Sequence, residues 1–112
     1  MDIELKENKC IITPLSPIMN KVETHRLYNT ILEYKNYIIA INLDNVIDCT
    51  IDFINIIKNH NNISIYNIQS DIFAIFNKMN IDKFANLYNS EIDFNHNSHK
   101  LLNRQFTLIA NK

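Results

Sequence analysis

The run Tyr37-Ile38-Ile39-Ala40-Ile41-Asn42-Leu43 is apolar almost throughout, rich in β-branched residues, and bounded by Lys35-Asn36 and Asp44-Asn45. A strand with one wet face alternates apolar and polar residues, whereas a strand covered on both faces does not. The run therefore reads as a central strand with packing on each side. The residues after it have a different period. Asp44 to Asp48 reads as a loop. From about Cys49 to Asn59, Ile51, Ile54 and Ile57 recur at helical spacing, flanked by Phe53 and Ile56.

Beyond a turn at His60-Asn61-Asn62, Ile63-Ser64-Ile65-Tyr66 reads as a strand. Ser70 is a suitable N-cap for a helix over 71–79, with Ile72, Ile75, Phe76 and Met79 as its buried stripe. Phe84 to Tyr88 reads as a last strand, and Ser90-Glu91 opens a helix extending to about Leu102. Arg104 to Ala110 forms a tail that could add a strand. In the other direction, a helix runs from Met19 or Asn20 to about Tyr34, its apolar face made of Val22, Leu27, Tyr28, Ile31 and Leu32. Before it, Ile3–Leu5 and Cys10–Thr13 read as a hairpin turning through Glu7-Asn8-Lys9. Pro14 and Pro17, which lack a ladder donor, end the second strand.

The order β-β-α-β-α-β-α-β-α predicts an α/β fold. It has a mostly parallel central sheet of four to five strands, an N-terminal antiparallel hairpin strand and about four helices. Residues 1–112 are expected to form a single domain with its core over about 9–94, and with 95–112 as C-terminal helix and tail.

Composition narrows the function. The net charge is −1 and 21% of residues are charged, which leaves no basic face for nucleic acid. The longest apolar stretches are far below the ~18 residues of a membrane helix, and the N-terminus does not read as a secretory signal, so a cytoplasmic location is expected. Two cysteines, Cys10 and Cys49, are not a disulfide framework. The chain has no glycine, so neither a Walker loop nor a dinucleotide fingerprint can be present. Backbone positions with positive φ should fall to Asn instead.

The segment Lys78-Met79-Asn80-Ile81-Asp82-Lys83-Phe84, followed by Leu87-Tyr88, resembles the Leu-Thr-Gly-Leu-Asp-Lys-Phe-like segment and Ile-Tyr strand of the STAS family, the fold of anti-sigma-factor antagonists. Asn80 stands where that family has glycine, and Ser70-Asp71 matches the start of the same helix. The likeness covers about Ile11 to Phe94 and is firmest from Tyr37 to Tyr88. It implies a STAS-like fold and a bacterial partner-switching role. The partner would be a serine-kinase-like ATPase that doubles as an anti-sigma factor. The regulated serine of such domains follows an aspartate before the second helix.

Here the matching segment is Asp48-Cys49-Thr50. Cys49 occupies the acceptor position, and the family's glycine after it is missing. Thr50 is the remaining phosphorylation candidate. A helix N-terminus accommodates a phosphate, and the added charge can repel an acidic partner. The expected partner surface spans Val46 to Asn55 and uses Asp48, Cys49, Thr50, Asp52, Phe53 and Asn55. If the switch is lost, the alternative is a non-phosphorylated STAS subunit of an ABC lipid transporter or a signalling scaffold. A homodimer joined through the 104–110 tail is a further option.

Competing chemistry finds less support. Asp48 reads as a cap of the second helix rather than a catalytic group. Cys10 reads as core and Cys49 as packing, although a helix N-terminus can activate a thiol. His96 and His99 lie three apart with only Asp93 near them in sequence, which argues against a metal site. His25 and His60 are expected to face solvent. No carboxylate pair or Ser-His-Asp pattern stands out, so neither catalysis nor a cofactor is expected.

Overall fold

The computed structural model describes residues 1–98 and 100–101. Strands β1 (Asp2–Lys6) and β2 (Lys9–Thr13) form the antiparallel hairpin, Lys6 opposite Lys9 across the two-residue turn Glu7-Asn8. A two-residue strand β3 (Ile18–Met19) leads into helix α1 (Lys21–Glu33), whose N-cap Asn20 accepts from the Glu23 N–H at 3.0 Å. The central strand is β4 (Ile38–Asn42). After it come β5 (Asp48–Cys49), α2 (Ile51–Lys58), β6 (Ser64–Tyr66) and α3 (Ser70–Lys78). A 3-10 turn at Ile81–Lys83, β7 (Asn86–Leu87) and α4 (Glu91–Asn95) complete the described elements.

The main sheet has the order β1-β2-β4-β6-β7, and all pairs beyond the hairpin are parallel. The strand order advances in one direction only. Right-handed crossovers then place every connecting helix on the same face. The core agrees: Cys10, Ile12, Ile39, Ile41, Ile65 and Leu87 on that face pack with Leu27 and Ile31 of α1, Phe53, Ile54 and Ile57 of α2, and Ile72 and Phe76 of α3. The opposite face carries a smaller cluster of Ile11, Ala40, Tyr66 and Tyr88 under Phe94 of α4.

Several expectations need correction. Val22 and Leu32 are exposed, and the buried face of α1 is Thr24, Leu27 and Ile31. The region read as a loop before the second helix contains β5, paired parallel with β3 through Ile18–Asp48 and Met19–Cys49. Ser70 is the first residue of α3, and Gln69 precedes it as the cap position. Phe84 belongs to the 3-10 turn, its N–H donating to Ile81 O, so the last strand shortens to two residues. The fourth helix ends at Asn95, not near Leu102. Asn97 turns left-handed at φ 50°, and Ser98 N–H reaches back to Asp93 O at 2.9 Å, which closes the helix in a Schellman motif. The 104–110 tail lies outside the described residues.

The expectation about asparagine holds. Of the five positive-φ residues among those described, four are Asn (Asn62, Asn67, Asn80 and Asn97) and the fifth is Glu7 in the hairpin turn. Asn80, at φ 55° and ψ 42°, occupies the position expected of it.

Candidate functional site

Thr50 is placed by backbone hydrogen bonds. Pro17 O accepts from the N–H groups of Ile47 (2.8 Å) and Asp48 (3.3 Å), and Met19 O accepts from Thr50 N–H (3.0 Å). The segment 17–19 thus clamps the residues ahead of α2. Met19 O also accepts the Thr24 hydroxyl at 3.5 Å and the Thr50 hydroxyl at 3.3 Å, so one carbonyl ties together β3, α1 and the start of α2.

Thr50 is the N-cap of α2, but its hydroxyl makes no capping bond. It is turned instead toward Met19 O and toward Asp52 Oδ2 at 3.5 Å. Asp48 does not cap the helix either. Its Oδ1 accepts from the neighbouring Cys49 N–H at 2.8 Å, and the residue is exposed on β5. The strand geometry of β5 holds Asp48 too far ahead of the helix for that role.

Cys49 is half-buried, its side chain packed against the main core. Burial, reinforced by the Asp48 charge, pushes its thiol up to about 11. Being one position ahead of the N-cap, it misses the helix N–H groups that would lower it. Cys10 is fully buried, and burial likewise raises its thiol. Packing, rather than reactivity, accounts for both.

The sequence-derived surface is brought together with one exception. Asp48 and Asn55 are exposed, and Cys49, Thr50 and Asp52 are half-buried. Phe53 is fully buried, its ring stacked on Phe76 with centroids 6.3 Å apart. It belongs to the core and is not a contact residue, because its position on α2 points at the sheet. Other apolar residues take its place: Leu15 and Ile18, outside the expected surface, and Ile47 and Ile51, within Val46–Asn55 but not named as contacts, expose 53%, 44%, 55% and 57% of their surface around the β3–β5 clamp. The available signal was partial: Leu15 and Ile18 stand beside Pro14 and Pro17 outside any strand or helix period. Next to them a groove of about 630 Å3 runs between the first turns of α1 and α2, lined by Lys21, His25, Arg26, Asp52 and Asn55.

The histidines are spread out. His25 is exposed. His60, contrary to expectation, is half-buried, with Nδ1 2.9 Å from Ile56 O and its ring edge-on to Tyr28. His96 caps the end of α4, and His99 lies outside the described residues. Among the described residues no three His, Cys, Asp or Glu side chains gather as metal ligands, and no helix is long and apolar enough to cross a membrane.

No family model matches the sequence, and no curated protein matches it. Among solved structures, the fold is similar to that of a Thermotoga maritima protein provisionally described as an anti-sigma factor antagonist. The TM-score is 0.73 at 12% identity, over 86% of this chain and 92% of that one. At such identity the likeness is one of architecture, and the architecture is STAS-like, as the resemblance of the 78–88 segment implied.

Proposed function

We propose that this chain is a protein-binding regulatory module of the anti-sigma-factor-antagonist type, which binds its partner through the Val46–Asn55 segment constitutively. The observation that carries this reading is the Thr50 hydroxyl. It is half-buried and spent on Met19 O and Asp52. Phosphorylation there would break the tie to Met19 O and set a dianion beside the Asp52 carboxylate, a cost the helix N-terminus offsets by at most ~2 kcal/mol at a partly buried site. Exposed Ile47, Ile51 and Ile18 around Asp48 and Asn55 give a partly apolar, partly polar contact patch, the mixture typical of regulated interfaces.

A bait experiment in the native host tests this. Wild type and Thr50→Val should retain the same protein, whether a scaffold, a transporter subunit or an anti-sigma factor, and Ile51→Asp should release it. Phosphate found on Thr50 of the domain recovered from the host, with a kinase-like ATPase retained only by the unphosphorylated form, would instead establish a phospho-switch through Thr50 and overturn the constitutive reading.

A further inference from the structure

Among the described residues, the first strand ends the sheet on an open edge. Among the described residues β1 pairs only with β2, and all five of its residues are exposed. The hairpin dictates which backbone groups face outward. Ile38 N–H donates to Asn8 O at 2.8 Å, so Asn8, Cys10 and Ile12 turn their backbone groups toward β4, and Lys9, Ile11 and Thr13 turn theirs toward β1. Their partners Lys6, Glu4 and Asp2 are thereby used. Ile3 and Leu5 carry the N–H and C=O groups that point away from the sheet. Their side chains lie on the helix-bearing face, opposite Ile12 and Cys10, and stay 40% and 49% exposed.

We propose that a second copy of this chain occupies that edge, β1 pairing antiparallel with β1 about a two-fold axis to give a continuous ten-stranded sheet. The strand reads Asp2-Ile3-Glu4-Leu5-Lys6. Centred on Glu4, self-pairing sets Asp2 against the other copy's Lys6 at both ends, and Ile3 against Leu5 between them. The Ile3–Leu5 pairs are the ones whose free backbone groups face each other, so each exchanges two ladder bonds. A register centred on Leu5 loses this, because Ile3 would face Glu7, which is in a left-handed turn at φ 56°. One centred on Ile3 sets Asp2 against Glu4, like against like. The self-complementary register has one mismatch, Glu4 against Glu4, and each Glu4 lies 3.6 Å from its own Lys6 Nζ. Charged edge strands ordinarily deter pairing. This charge order deters strangers and matches itself.

So short a junction falls below the size of a stable interface, and association should appear at concentrations of about 10 μM to 1 mM. Sedimentation equilibrium on the full chain over that range should show monomer and dimer. Leu5→Pro removes one outward N–H and none of the bonds to β2; it should abolish the dimer while the protein stays folded with an unfolding midpoint matching that of Leu5→Ala, with Ile3→Pro against Ile3→Ala as the equivalent pair should Leu5→Pro fail to fold. Glu4→Gln should tighten the dimer roughly two- to fivefold. Lys6→Asp should weaken it about tenfold, and adding Asp2→Lys should restore it. A monomer at about 1 mM, a dimer indifferent to the proline variants, or weakening by Glu4→Gln would each overturn the proposal. None of these readings involves the Val46–Asn55 surface, so the two ideas stand or fall separately.

Discussion

Cys49 occupies the place where the STAS resemblance implies a phosphorylatable serine, and its surroundings make it chemically quiet. Burial and the adjacent Asp48 carboxylate both disfavour the thiolate and push the thiol up to about 11. At neutral pH the thiolate fraction falls about tenfold per unit above the free-thiol value near 8.5, so iodoacetamide at pH 7.5 should modify Cys49 at least about 100-fold more slowly than free cysteine. Mass spectrometry of the native protein over time reads this directly, since Cys10 is fully buried. Alkylation at the free-thiol rate would mean that the start of α2 opens and exposes the sulfur. The residue type was legible in the sequence, but its environment was not. Asp48 and Cys49 sit in a two-residue strand whose partner, Ile18–Met19, lies thirty residues upstream, and no local pattern announces so short a long-range pairing.

The elements that came through best from the sequence are those with a strong period or a one-residue signature. The β4 run, the Leu27–Ile31 stripe and the Asn80 turn are of this kind. Asn80 closes α3 in a conformation that costs an ordinary L-residue about 1–2 kcal/mol and glycine almost nothing. Urea unfolding should therefore find Asn80→Ala destabilised by about 1 kcal/mol and Asn80→Gly close to wild type. Equal losses in both would show that the Asn80 side chain, rather than its backbone, matters at the turn. Helix ends were read less well, because several signals compete. Ser70 looks like a cap yet begins α3. Asn95, Asn97 and Ser98 carry no apolar period and still resemble helix continuation until the left-handed turn at Asn97 is seen. Phe53 misled for a related reason: α2 is apolar over more than one stripe, and the sequence cannot say which stripe meets the sheet.

The molecule as a whole is lopsided. Three crossover helices cover one face of the sheet, and on the other a five-residue helix shields Ile11, Ala40, Tyr66 and Tyr88. A helix that short has no stability of its own, so α4 is held by what it touches. Phe94 stacks on Tyr66 at 5.5 Å and meets Tyr88 edge-on, with Lys9 Nζ 5.0 Å from the Phe94 ring centre. The Tyr66 hydroxyl donates to Glu91 Oε1 at 3.0 Å, and that of Tyr88 to Asn97 Oδ1 at 2.6 Å. Burial, and for Tyr66 the bond to Glu91, keep both phenols protonated above their usual range. A group whose folded pKa is raised stabilises fully below its unfolded value, near 10, and loses that contribution as pH climbs past it. The Tyr66–Glu91 tie is therefore intact at neutral pH and fails only in strong alkali. At pH 7, hydrogen exchange should show the amides of α4 opening well before those of β4, because detaching the small cluster leaves the main core untouched. Tyr66→Phe should speed exchange in α4 several-fold, consistent with loss of one hydrogen bond of about 1 kcal/mol, and leave β4 unchanged. If the α4 and β4 amides exchange at one common rate, the two faces of the sheet form a single cooperative unit, and the division drawn from the strand order is wrong.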